Sequence, residues 1–174
     1  MKTFFNKATI LTVIFIAFGL VSNAQVNKKR KAQKDTEAWR YEIECFGIGK
    51  AGTKVIKVWS YSKKAKIAIA QAKKNAVHGI IFQGYAGGGQ GCTSQKPLCS
   101  DPSIEQQKEE FFSNFFNING GKYMKFVSNS GDSTPTVKKV GKEYKIGVVV
   151  TVMSDNLRKD LEAAGIVRGL SSGF

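Results

Sequence analysis

Apolar and polar positions alternate through "AWRYEIECFGI" (residues 38–48) and again through "TKVIKVWSYS" (53–62). A period of two in aromatic and β-branched residues predicts two strands, joined around "GKAG" as a hairpin. The period then changes. In "KAKIAIAQAKKNAVHGIIF" (64–82), Ala65, Ala68, Ile69, Ala72, Ala76 and Ile80 fall on one helical stripe, and alanine favours the helix. A helix is expected from about Ser62 to His78, broken at Gly79, with "IIF" extended. Its second face, with Ile67, Ala70 and Val77 among lysines, needs a cover, for which another helix of the chain is the default.

"DPSIEQQKEEFFSNFFN" (101–117) reads as a second helix with Asp101 as N-cap and Pro102 at the first helical position. Phe111, Phe112, Phe115 and Phe116 are neighbours on it and are assigned to the core. Three strands follow: "KYMKFV", "TVKKV" and "EYKIGVVVTVM". Gly141-Lys142 suits the tight turn that takes Gly first, so the last two form a hairpin. "SDNLRKDLEAAG" closes the chain as a helix capped by Ser154 or Asp155 and stopped by Gly165, with Leu157, Leu161 and Ala164 on the core. Hairpins without regular strand-helix alternation predict an α+β fold, a mostly antiparallel sheet of about five strands packed against two or three helices.

Ahead of this domain (39–174), Lys2 and Lys7 precede the apolar run "ATILTVIFIAFGLV", followed by small residues suited to cleavage after Ala24. Residues 1–24 read as a signal peptide, since a run of this length falls short of the roughly 20 residues of a membrane span. No cysteine follows for a lipid anchor. Residues 25–38 are polar and basic and read as a flexible tail. The product is expected to be periplasmic or secreted, with no transmembrane span after cleavage.

Charge sharpens the picture. The chain carries 27 Lys and Arg against 13 Asp and Glu. From Arg40 to Lys96, ten basic residues face only Glu42 and Glu44, a balance of +8, whereas the stretch from Leu98 onward is nearly neutral. Lys63, Lys64, Lys66, Lys73 and Lys74 are the candidate partner-binding residues, on a wet face of the first long helix. An acidic or anionic envelope component or protein is the expected partner, with contact that weakens as salt rises. Nucleic acid is disfavoured, because export removes it and the aromatics are not interleaved with the lysines. Homo-oligomerisation is left open.

Export also bears on the three cysteines. Cys92 and Cys99 bracket a loop containing Gly and Pro and are expected to form a disulfide, leaving Cys45 as a buried free thiol. The lone His78 supplies neither a metal site nor a Ser-His-acid arrangement, so no metal, cofactor or catalytic residue is assigned and a non-enzyme is expected. "GIGKAG" (47–52) matches the Gly-x-Gly-x-x-Gly spacing, but a strand follows where dinucleotide binding requires a helix, so a hairpin turn is expected. The alternative function is a small-ligand or hydrolytic site in the Gly-rich 84–99 loop, "GYAGGGQGCTSQKPLC", near Tyr85 and Cys92.

The succession "CFGIGKAG", "AKIAIAQAKKNA" and "YKIGVVVTV", over about residues 39 to 153, resembles the small α+β domains of exported bacterial envelope proteins, among them the N-terminal domain of flagellar assembly protein T and related lipoproteins. That resemblance implies an envelope-associated assembly or interaction domain and brings no catalytic residues with it.

Overall fold

The structure is a computed structural model that describes residues 39–88, 91–131 and 134–169. The expected signal peptide (1–24) and basic tail (25–38) lie outside the described residues. Residues from Arg40 onward form one unit.

Strands β1 (Tyr41–Gly47) and β2 (Lys54–Ser62) pair as the expected antiparallel hairpin, from Tyr41↔Ser60 to Cys45↔Ile56. Helix α1 (Ala65–Phe82) follows, then the short helices α2 (Ile104–Gln107) and α3 (Glu109–Phe115). Strands β3 (Val127–Asn129) and β4 (Thr136–Val140) precede β5 (Glu143–Val152) and helix α4 (Ser154–Ala163). The central β5 pairs along its length with β2, while β3 and β4 lie in line along its other edge. All pairings are antiparallel, and the fold is the expected α+β sheet with helices. Gly141 sits at φ +59° at the head of the β4–β5 turn, a conformation that favours glycine.

Helix α1 lies across β2 and β5. Its Ala68, Ala72, Ala76 and Ile80 are fully buried, as are Ile56 and Val58 of β2 and Ile146, Val150 and Val152 of β5. Small side chains let the helix approach the sheet. Each buried Val or Ile contributes about 1.5–3 kcal/mol, so this layer is the main source of stability. The Asn75 amide donates to the Ser60 hydroxyl at 2.8 Å, which satisfies two polar groups inside it.

Several expectations are corrected. Helix α1 runs through Gly79 to Phe82. Gly79 is a close-approach glycine: a Cβ there would meet Ile43 Cδ1 at 2.7 Å. The stop comes at Gly84, left-handed at φ +65°, whose amide donates to the Gly79 carbonyl at 2.8 Å. "KYMKF" is a 3-10 turn (Lys122–Phe126), which buries Tyr123 and Phe126 three apart, and only Val127–Asn129 joins the sheet.

The second face of α1 is covered internally only in its C-terminal half: Val77 is buried as expected, but Ile67 is half-buried and Ala70 exposed. Phe82 packs on Phe112 (5.2 Å between ring centres) and His78 on Phe116 (5.6 Å), and Phe112, Phe115 and Phe116 are all buried. The single helix expected over 101–117 is instead two short ones broken at Lys108, and Ser103 rather than Asp101 is the N-cap of α2. Asp101 accepts from the Ser103 amide and hydroxyl at 2.9 and 2.7 Å in the turn before it. Neither Ser154 nor Asp155 caps α4 through its side chain. The Ser154 hydroxyl and the Asp155 amide both donate to the Gly52 carbonyl, docking α4 on the β1–β2 turn. Ile166 is buried where Ala164 was expected, because Gly165 (φ +67°) turns the chain back after an exposed Ala164.

Candidate functional site

The sheet face away from α1 is built by register. Trp59 of β2 stands opposite Gly147 of β5, and Tyr61 opposite Lys145, which in turn faces Lys138 of β4. A Cβ on Gly147 would lie 2.8 Å from Trp59 Cζ3 and 2.7 Å from Lys57 Cε, so the missing side chain is what admits the indole and the lysine stem. Trp59 is only 9% exposed. Its indole N–H donates to Glu44 Oε1 at 2.9 Å. Above its ring converge three ammonium groups, those of Lys57, Lys138 and Lys145, at 4.4, 5.1 and 5.3 Å from the centroid.

Each such contact is attractive by about 0.5–1 kcal/mol at an exposed site, whereas the ammonium groups repel one another. Carboxylates offset part of that repulsion. Lys145 reaches Glu42 at 2.7 Å, and Tyr61 donates to the same carboxylate at 2.6 Å. The hydrogen bond from Lys145, then that from Tyr61, holds the Glu42 carboxyl below its ordinary range, and the same contacts raise the Lys145 ammonium. Arg40 engages Glu143 through both guanidinium nitrogens, at 3.0 and 3.3 Å. Glu42 and Glu143 are therefore already paired, and Glu44, across from Lys57 in the β1–β2 pairing, accepts the Trp59 N–H, while among the described residues Lys57 and Lys138 form no ion pair with a carboxylate.

The predicted lysines divide. Lys63, Lys64 and Lys66 are exposed at the start of α1, beside the end of β2, and the first turn of α1 holds no acid. Lys73 is half-buried. Lys74 is buried, at 7% exposure, which corrects the reading of five ammonium groups on one wet face. The cause is that α1 changes character along its length: from Lys74 to Ile81 every residue is buried, because the aromatic helices cover the side that the sheet does not. The lysines of the Trp59 cluster come instead from β2, β4 and β5, and the sequence halves of unequal charge do not map onto separate regions. Gly147, interrupting the β-branched run of β5, was the available signal.

The disulfide is Cys45–Cys92, with Cα atoms 6.0 Å apart, and Cys99 is free and buried. The expected Cys92–Cys99 bridge and the free Cys45 thiol are both overturned. The Tyr85–Gln95 bridge, with amide bonds of 2.8 and 2.9 Å, folds the Gly-rich segment back so that Cys92 reaches the end of β1. Leu98 and Cys99 are meanwhile tied to the Ile80 and Ile81 carbonyls at 3.1 and 2.8 Å. Burial pushes the Cys99 thiol up. Between the β1–β2 turn and residues 91–93 the disulfide spans a cleft of about 230 Å³.

His78 also has a setting that spacing did not disclose. Its Nδ1 meets the Tyr41 hydroxyl at 2.5 Å and its Nε2 meets Glu105 Oε1 at 3.1 Å. Burial lowers the imidazole, against the opposing pull of the Glu105 carboxylate, and burial raises the Tyr41 phenol well above its ordinary value. With Tyr41 donating to Nδ1 and Nε2–H donating to Glu105, a neutral imidazole is satisfied on both sides and ties β1, α1 and α2 together. Among the described residues, no group of three His, Cys, Asp or Glu could hold a metal, and no helix is long and apolar enough to cross a membrane. Comparison with family models, curated proteins and solved structures finds no match for this chain.

Proposed function

We propose that this chain is an exported binding protein, without catalytic chemistry of its own, that holds an acidic or anionic envelope partner on a basic surface. That surface combines the Trp59 face with the exposed start of α1 at Lys63, Lys64 and Lys66. The observation that carries this reading is the convergence of Lys57, Lys138 and Lys145 on one ring. Bringing three ammonium groups together opposes folding, and an anionic ligand relieves the repulsion. The charged leader and apolar run, and a disulfide between distant segments, support export. The likeness to envelope assembly domains agrees with a binding role.

A nucleic-acid strand fits this face less well. Base stacking needs an open aromatic face, and the Trp59 ring lies under ammonium groups at 9% exposure. The deciding experiment is capture from envelope extracts by the chain lacking residues 1–24, with the variants K57Q/K138Q/K145Q and K63Q/K64Q/K66Q beside it. The reading expects an acidic partner retained at low salt and released at about 1 M, where the screening length is about 3 Å. It also expects much weaker capture by the first variant. Equal recovery by all three proteins would end it, as would a preference for single-stranded DNA.

A further inference from the structure

The two glycine-rich stretches of the sequence, "GIGKAG" at 47–52 and the loop after Gly84, form the opposite walls of one cleft. We propose that this cleft binds a small molecule through a phosphate or carboxylate group.

The walls are preformed. The Cys45–Cys92 disulfide joins them directly, and Gly91, left-handed at φ +75°, lies so close to Ile48 that a Cβ would meet its Cδ1 at 3.0 Å. A pocket held in this way loses little entropy on binding. The volume of about 230 Å³ lies below the roughly 300–1,000 Å³ of sites for drug-sized ligands, so the occupant is small.

The lining is suited to negative charge. It contains Lys50 and Lys54 and no acid, and Asp155 packs against Gly52 from α4 without entering it. Thr93 and Tyr85 add hydroxyl groups, while the Thr53 hydroxyl donates to the Lys50 carbonyl at 2.8 Å. Among the described residues, the backbone amides of Ile48, Gly49, Ala51 and Gly52 donate to no protein acceptor. Gly47 leaves open space beside the turn, whereas the space at Gly49 is taken by Thr53 and that at Gly52 by the Asp155 carboxylate, and free turn amides beside two lysines can hold an oxyanion. The Gly-x-Gly-x-x-Gly spacing, which fails for a dinucleotide because a strand follows, thus finds a use that needs no helix. This site is separate from the Trp59 face and does not depend on it.

The test is amide chemical-shift mapping of the chain lacking residues 1–24, titrated with inorganic phosphate, with succinate and with uncharged glycerol. One of the two anions should produce saturable shifts at residues 47–53 and 91–93, and which one does so distinguishes phosphate from carboxylate. The K50Q/K54Q variant should weaken that binding at least tenfold while its other resonances stay in place. The proposal is overturned if neither anion saturates, if glycerol shifts the same amides, if the variant binds equally well, or if the shifts fall only around Lys57, Trp59 and Lys145.

Discussion

Gly147 stands directly opposite Trp59 in the β2–β5 pairing, and the absent side chain lets the indole lie over β5 beneath three lysines. Valine there would favour the strand by propensity and fill the space that the ring occupies. A Cβ at 2.8 Å from Cζ3 cannot coexist with the present rotamer. Overpacking of this kind costs about 1–3 kcal/mol, so Gly147→Val should lower the melting temperature and make the Trp59 fluorescence more solvent-exposed. An unchanged melting temperature and emission spectrum would mean that the ring does not rest on β5.

The bridge between Cys45 and Cys92 closes a loop with a sequence separation of 47. Loop-closure entropy for that length gives about 4 kcal/mol, so Cys45→Ser and Cys92→Ser should each destabilise by an amount of that order, and reductant should act on the wild type alone. Cys99→Ser should leave the bridge intact. Peptide mapping without reduction checks this: a fragment joining Cys45 to Cys92 is expected, and one joining Cys92 to Cys99 would refute the connectivity.

Gly84 carries two functions at one position. It ends α1 in a left-handed conformation, and a Cβ there would lie 2.2 Å from the Gln95 carbonyl oxygen, which accepts from Tyr85. Alanine in that conformation costs about 1–2 kcal/mol before any clash with backbone, which cannot swing aside as a side chain can. Gly84→Ala should therefore destabilise by about 2 kcal/mol or more and remove the hydrogen-exchange protection of the Tyr85 and Gln95 amides. Retained protection would show that the loop is held by the disulfide alone.

What could be read in advance follows from the range of the forces involved. Alternation in β2 and β5 and the Gly141 turn are local patterns that appear where the periodicity puts them, and the stripe of α1 does so at Ala68, Ala72, Ala76 and Ile80 but not at Ile69, which is 38% exposed. Gly79 and Gly84 illustrate the limit. Both are plausible helix stops, and the choice is made by Ile43, which needs the first as a contact point. Cysteine pairing was illegible for a related reason, since the Tyr85–Gln95 bridge and the tie of Cys99 to Ile81 depend on the finished helix. Of the candidate lysines, Lys63, Lys64 and Lys66 around the start of α1 are exposed as expected, but the cation cluster on Trp59 needs the register of three strands, which no single segment contains.

His78 gives the fold a pH dependence whose sign follows from its setting. Burial lowers its folded-state value below that of the unfolded chain, so between the two the unfolded chain binds more protons and stability rises with pH. The contribution is complete above the unfolded value of about 6.5 and is lost as pH falls through the folded one. One proton bounds the slope at about 1.4 kcal/mol per pH unit. The groups around the ring act in opposite directions, Glu105 drawing a proton on and Lys74 repelling it, and Tyr41 remains neutral throughout. Glu42 and Asp101, both held below the ordinary carboxylate range, lose their contributions at more acid pH, outside this window. His78 is the only histidine in the chain, so its NMR titration is unambiguous. It should titrate below about 6.5, and His78→Gln should flatten the stability profile just beneath that value. A titration at or above the ordinary value would show that Glu105 outweighs burial, and the slope would then reverse.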